Sequence, residues 1–313
     1  MPLGLRRGAV TAVHERRDEL VRLEVDELPC VAYPRLTGPV EVGDDVLVNE
    51  QARLLGLGSG GFDVLYANLT RGLGLAAAEG AHVMTLPYTP GQVTVCYEEE
   101  STPLAESLDG LPVVLCTLHS QVAPACAALR GLRVAYVQVA GGALPVSLSD
   151  TVRALKERRL VEVAVAVAPC LDGDAECVTA AAALAWARAA GYDIVVCSVG
   201  PGIVGTGSRL GHGALALADA ANAATALGGR PVLAVRTSEA DTRERHRGVS
   251  HHTRAVLELA LGAVLVADDA DGEGWVEACA GLPLEHMGRG PTDDPAFFRT
   301  AYAAGVAARR LIG

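Results

Sequence analysis

At 313 residues the chain has room for one large or two ordinary domains, and a formal net charge of −11 argues against a general nucleic-acid binder. No apolar run reaches the roughly 18 residues a membrane helix needs. Arg6 and Arg7 lead into a strand pattern instead of a secretory leader, so a cytoplasmic protein that does not engage a membrane is expected.

Period-2 stretches fill residues 6–70: RRGAVTAVH, LVRLEVDE, PCVAYP, VGDDVLVN and GGFDVLYAN, broken by Pro, Gly and Asp. They predict a small antiparallel barrel or curled sheet, with Gly43-Asp44 turning into a strand that ends at Asn49. GLGSGG (Gly56–Gly61) is followed by a strand rather than a helix, so it reads as a hairpin or loop and not as a phosphate cradle. Residues 71–110 carry one strand, in HVMTLPYTPGQVTVCYEE, and an exposed acidic linker, EEESTPLAESLDG. We place a β-rich, barrel-like domain at 1–107 and an α/β domain at 108–313.

Beyond that boundary the pattern changes. Apolar strand candidates are Leu111–Leu118, Arg133–Val139, Val161–Ala168, Tyr192–Val199, Arg230–Val235 and Ala263–Ala267. Between them lie helical stretches at Gln121–Leu129, Ser149–Arg158, Ala175–Ala190, His212–Leu227 and Ser250–Leu261, and Pro295–Leu311 predicts a terminal helix. Continuous apolar strands alternating with helices predict a mostly parallel, doubly wound, Rossmann-like sheet covered on both faces. None of the eight cysteines forms a C-x-x-C pair, and buried free thiols are expected.

Open α/β sheets bind ligands beyond the carboxyl ends of their strands. The loops expected there are rich in glycine or polar side chains, whereas those at the opposite edge are short and bland. Gly200–Gly213, GPGIVGTGSRLGHG, contains G-x-G-x-x-G after a strand. It lies on about the fourth strand of its domain, and the next strand ends in Arg236 where a ribose-binding acid would stand, so NAD(P) is disfavoured. Ser208 follows Gly207, and there is no lysine for a Walker loop. What survives is anion binding by backbone N–H groups at Gly200, Gly202, Gly205, Thr206, Gly207 and Ser208, against the plainer reading of a tight structural turn.

The densest segment is Arg236–Thr253, RTSEADTRERHRGVSHHT. Arg236 emerges directly from a strand. Arg243, Arg245 and Arg247 alternate and would diverge in an extended loop, some pairing with Glu239, Asp241 or Glu244. Guanidinium forks suit carboxylate and phosphate, so Arg236, Arg243, Ser238 and Ser250 are candidate ligand contacts. Ser250 is also an N-cap that would place His251 and His252 in the first helical turn, where the dipole favours neutral imidazole. Side chains of adjacent helical residues diverge by about 100°, so one of the two is expected to face a ligand. His251, His252, His246 and Asp241 are candidate catalytic groups, as is His119 at the end of the domain's first strand. Asp172, Asp174 and Glu176 could hold a metal or act as acids, Asp174 being equally an N-cap. No high-specificity metal spacing occurs, so the cofactor stays open, with a divalent metal admissible.

GPGIVGTGSRLGHG, GGRPVLAVR and above all RTSEADTRERHRGVSHHT, with RRGAVTAV, VGDDVLVN and HVMTLPYTPGQ, resemble domain-of-unknown-function family 3866 of bacterial proteins. The resemblance implies a barrel-like N-terminal region and an α/β remainder, and supplies no reaction. Cys170–Glu176 departs from it, lacking the glycines expected before the acids. Three functions fit: an enzyme, hydrolytic or metal-assisted, for a small anionic or phosphorylated substrate; a non-catalytic nucleotide- or anion-binding sensor or scaffold; or an NAD(P)-dependent oxidoreductase. The partner expected is a small anion, and a homo-oligomer is allowed. All three need the glycine-rich and the imidazole-rich segments to meet at one rim.

Overall fold

The computed structural model describes residues 3–56, 60–76 and 78–312, which fall into two compact units, Met1–Cys96 and Tyr97–Gly313. The GLGSGG run lies partly outside the described residues.

In the first unit, β1 (Leu5–Arg16), β2 (Val21–Val25), β3 (Leu28–Ala32), β4 (Asp45–Asn49) and β5 (Asp63–Asn68) close into a barrel of order β1-β2-β3-β5-β4. Every pair is antiparallel except β3 with β5. This is the strand order of the five-stranded Greek-key barrels. Period-2 alternation sends Val10, Val21, Leu23, Val25, Val46, Val48 and Leu65 inward. Two buried carboxylates brace the wall, Asp63 between Arg6 and Arg53, and Asp44 against Arg71. The short helices α1 (Pro34–Thr37) and α2 (Gln51–Leu54) bridge strands, and β6 (Val83–Thr85) pairs with β7 (Val93–Val95) where one strand was expected.

The second unit opens with α3 (Glu98–Ser101). The acidic run is not a free linker: Glu98 accepts the Trp186 indole N–H at 3.0 Å, and Glu99 accepts the Val178 amide at 2.7 Å. There follow β8 (Pro112–Cys116), α4 (Val122–Ala127), β9 (Val134–Val139), α5 (Asp150–Glu157), β10 (Val163–Val167), β11 (Ala175–Cys177), α6 (Ala180–Ala189), β12 (Ile194–Val199), α7 (Ala216–Ala226), β13 (Arg230–Ala234), β14 (Thr237–Ser238), β15 (Gly248–Val249), α8 (His251–Leu259), β16 (Leu265–Val266), α9 (Trp275–Ala278) and α10 (Pro295–Arg309). Seven of these strands form one parallel sheet, order β11-β10-β9-β12-β8-β13-β16. No helix of the described residues is long and apolar enough to cross a membrane.

Alternate residues of each strand feed two cores. On one face Val113, Leu115, Val195 and Cys197 meet α6, α7 and α8 through Leu184, Leu217 and Val256. On the other, Val114, Cys116, Val134 and Tyr136 meet α4, α5 and α10 through Cys126, Leu155 and Ala304. All eight cysteines are free, and seven are buried. Ala175–Ala190 is not one helix. Ala175–Cys177 pairs with Val165–Val167, the helix is N-capped at Thr179, and pairing plus full burial override the alanine-rich propensity. Asp174 is therefore no cap; it accepts the Ala164 amide and pairs with Lys156.

This winding positions the rim. β8 lies between β12 and β13, but its helix α4 crosses to the opposite face. The chain segments leaving β12 and β13 both turn to the α7/α8 face, where the 3-10 turn Gly213–Leu215 that follows β12 packs against α8.

Candidate functional site

Two glycines bring the β12 loop in. A Cβ on Gly200 would stand 2.1 Å from the Ala143 carbonyl oxygen, and one on Gly213 would stand 2.0 Å from that of Gly141. These positions therefore serve backbone-to-backbone approach. Between them, Gly202 has φ 68°, and Thr206, Gly207 and Ser208 are exposed, the Thr206 and Ser208 hydroxyls 2.9 Å apart. Gly205 bridges back to His212, and the 3-10 turn Gly213–Leu215 delays the start of α7. Gly213→Ala is expected to destabilise the second unit by about 1–3 kcal/mol. Urea melts check this, and an unchanged midpoint would contradict the close approach.

After β13 the chain makes the β14–β15 pair and the 3-10 turn Glu244–His246, so the run of alternating arginines is not extended. Ser250 caps α8, its Oγ accepting the His252 amide at 3.2 Å and lying 2.8 Å from His246 Nδ1. The Ser250 amide in turn reaches the Arg236 carbonyl at 2.8 Å.

The result is a cluster of four imidazoles. His212 stacks on His252 at 4.0 Å between centroids, and His251 lies 4.5 Å from His252. His246 sits 4.8 Å from His251 and 5.0 Å from His252. Both adjacent histidines thus join, not one of the two. His251 and His252 begin the helix, and His212 and His246 reach them from different sides. Burial, followed by the positive field of Arg236, drives His246 down to about 3 and His252 to about 2, with Arg243 adding to the effect on His246 and the neighbouring imidazoles to that on His252. Burial also lowers His212 and His251. Each of these shifts favours the neutral ring.

Ring nitrogens define what this cluster offers. His212 Nε2 donates to the Arg209 carbonyl at 3.0 Å, which leaves a lone pair on Nδ1; that atom is buried without a partner, as is His251 Nε2. Arg236, itself buried, places Nη1 3.0 Å from His252 Nδ1, and a guanidinium can only donate. Its Nε also lacks a partner.

Behind Arg236 lies an ionic layer. Asp241, buried, is gripped by Arg243 at 2.8 Å, with Arg289 at 3.5 Å and Arg236 at 3.7 Å. Burial would raise the Asp241 carboxyl, but the Arg243 hydrogen bonds outweigh it and hold the group well below the usual range. Ser238 donates to Asp294 and accepts the Asp241 amide, so its hydroxyl is engaged in the scaffold. Three guanidiniums (Arg236, Arg243, Arg289) face two carboxylates (Asp241, Asp294), which leaves one positive charge in excess. Burial lowers even Arg236, to about 10.

His119 takes no part in the four-ring cluster. Its Nδ1 reaches the Val199 carbonyl at 3.3 Å and its Nε2 the Ser149 hydroxyl at 2.6 Å, and burial pushes it down to about 4. Asp172 and Glu176 are held by local contacts, Asp172 Oδ2 accepting from Ser147 and Glu176 Oε1 from the Asp172 amide. The sequence reading missed Arg289, Asp294 and His286. Asp294 before Pro295 reads as a helix cap, yet its side chain makes no cap bond and serves Ser238. His286 lies flat on Phe297, centroids 3.8 Å apart. His212 was legible only as a member of the glycine-rich run and the first residue of the helical stretch His212–Leu227.

Residues 29–278 match the family described as "Protein of unknown function (DUF3866)", and the chain belongs to that family. No curated protein matches the chain.

Proposed function

We propose, for this member of the family, an enzyme that acts on a small anionic or phosphorylated substrate at the carboxyl rim of its parallel sheet, with hydrolysis as the reaction class. The observation that carries the reading is Arg236, buried among neutral imidazoles and backed by an ionic layer with one positive charge in excess. A buried guanidinium backed by partly buried ones, with positive charge in excess, favours an anion in front of it. Arg236 would take anionic oxygens through its fork, for which its unpartnered Nε leaves a free donor. Arg243 and Asp241 would fix Arg236 in place instead of touching the ligand. His251, neutral with a buried free nitrogen, is the group best suited to accept a proton from water. His246, set by Ser250, would orient it.

The test uses inorganic phosphate as ligand and a chromogenic phosphomonoester as substrate. Arg236→Gln is expected to weaken phosphate binding on the order of 10- to 100-fold, the loss of a charge-assisted contact. His251→Gln is expected to remove turnover while the fold persists. Unchanged phosphate affinity in the folded double variant would reject the reading. Phosphate bound by the wild-type chain without turnover would favour the sensor instead.

A further inference from the structure

We propose that Nδ1 of His212, Nε2 of His251 and a ring nitrogen of His252 hold a zinc ion, with a fourth position left for water or an anion. The inference goes beyond the anionic-substrate reading and does not require it; with zinc on His251 Nε2, that nitrogen would no longer accept a proton, and a water held at the fourth position would take over the role the earlier reading gives to His251.

One ring nitrogen from each of the three residues lies within 4.8 Å of the others. Tetrahedral zinc with Zn–N near 2.0–2.1 Å asks for nitrogens about 3.4 Å apart. Closing the rings by roughly an ångström supplies that geometry, within the rotamer freedom of side chains at a loop end and a helix start. Two of the nitrogens are buried and partnerless, and buried polar atoms rarely stay so without a missing ligand or water. His212 already carries the outer support usual for a metal-bound imidazole: its other ring nitrogen donates to a backbone carbonyl, which fixes the tautomer with the lone pair on Nδ1.

The donor set selects the ion. Magnesium and calcium want oxygen ligands, which the three residues do not offer. Three neutral imidazoles with an open position match zinc. Arg236 bears on the same point, because its N–H already sits on a lone pair of His252 as a cation would. When zinc engages His252, that guanidinium is released toward whatever occupies the fourth position. Zinc also adds two positive charges beside Arg236, so an anion at the fourth position and the metal each favour the other's binding.

The experiment takes the full, tag-free chain after chelator treatment and follows zinc chloride binding by calorimetry and native mass spectrometry. One zinc per chain is expected. His212→Gln and His251→Gln should each weaken it on the order of 100-fold, whereas His119→Gln should leave it unchanged. Cobalt(II) in the wild-type chain should give the intense visible d–d absorption of a tetrahedral site, a readout that needs no variant to fold. No saturable zinc binding, a weak octahedral cobalt spectrum, or one zinc per chain retained by the His212→Gln/His251→Gln double variant would each overturn the proposal. Because metal is read directly, zinc without phosphate removes the substrate reading alone, and phosphate without zinc removes this one alone.

Discussion

Asp241→Asn is expected to destabilise the protein by about 3–5 kcal/mol, because it leaves buried Arg236 without its nearest carboxylate while Arg243 and Arg289 stay close. In a unit of this size that lowers the melting temperature on the order of 10 °C. Arg236→Met should cost less, since Asp241 keeps Arg243 and Arg289 and the orphaned imidazole is neutral. Differential scanning calorimetry on the two variants ranks them. If Asp241→Asn melts with the wild type, the ionic layer does not brace the rim.

Acid should unfold the chelator-treated protein early and steeply. Burial, then the field of Arg236, drives His246 and His286 to about 3 and His252 to about 2, against about 6.5 in an unfolded chain. Folded-state values that are depressed mean the unfolded chain binds the extra protons. The stability this neutrality allows is complete above pH 6.5 and is lost as pH falls below it. Each such imidazole contributes about 1.4 kcal/mol per pH unit, so the three together tilt stability by about 4 kcal/mol per unit. Over two units that is comparable to the whole stability of an ordinary domain. Urea midpoints should be flat above pH 7 and collapse between pH 6 and 4.5. A midpoint unchanged from pH 7 to 5 would show that these rings are not held neutral by the fold.

The fold was legible because its signals are periodic. Alternation marked the barrel strands, and runs such as Val134–Val139 and Ile194–Val199, buried on both faces, could only be central parallel strands. The failures came where tertiary pairing overrode local preference, as at Ala175–Cys177, whose partner strand β10 decides its conformation. Within the rim, Ser250 was readable because an N-cap is a local device. The joining of both His251 and His252 was not, since it depends on His212 arriving from another loop. Nor could sequence assign the acids: Asp241 and Asp294 look like loop and cap residues, and only the fold gathers Arg236, Arg243 and Arg289 around them.

The meeting of the β12 and β13 loops in one ligand site is tested most directly by nitrogen-15 NMR of the imidazole rings during a phosphate titration, with resonances assigned through single histidine variants. His212, His251 and His252 should shift together along curves that share one dissociation constant, while His119 stays still. Shifts confined to one loop, or fitted only by separate constants, would contradict a shared site.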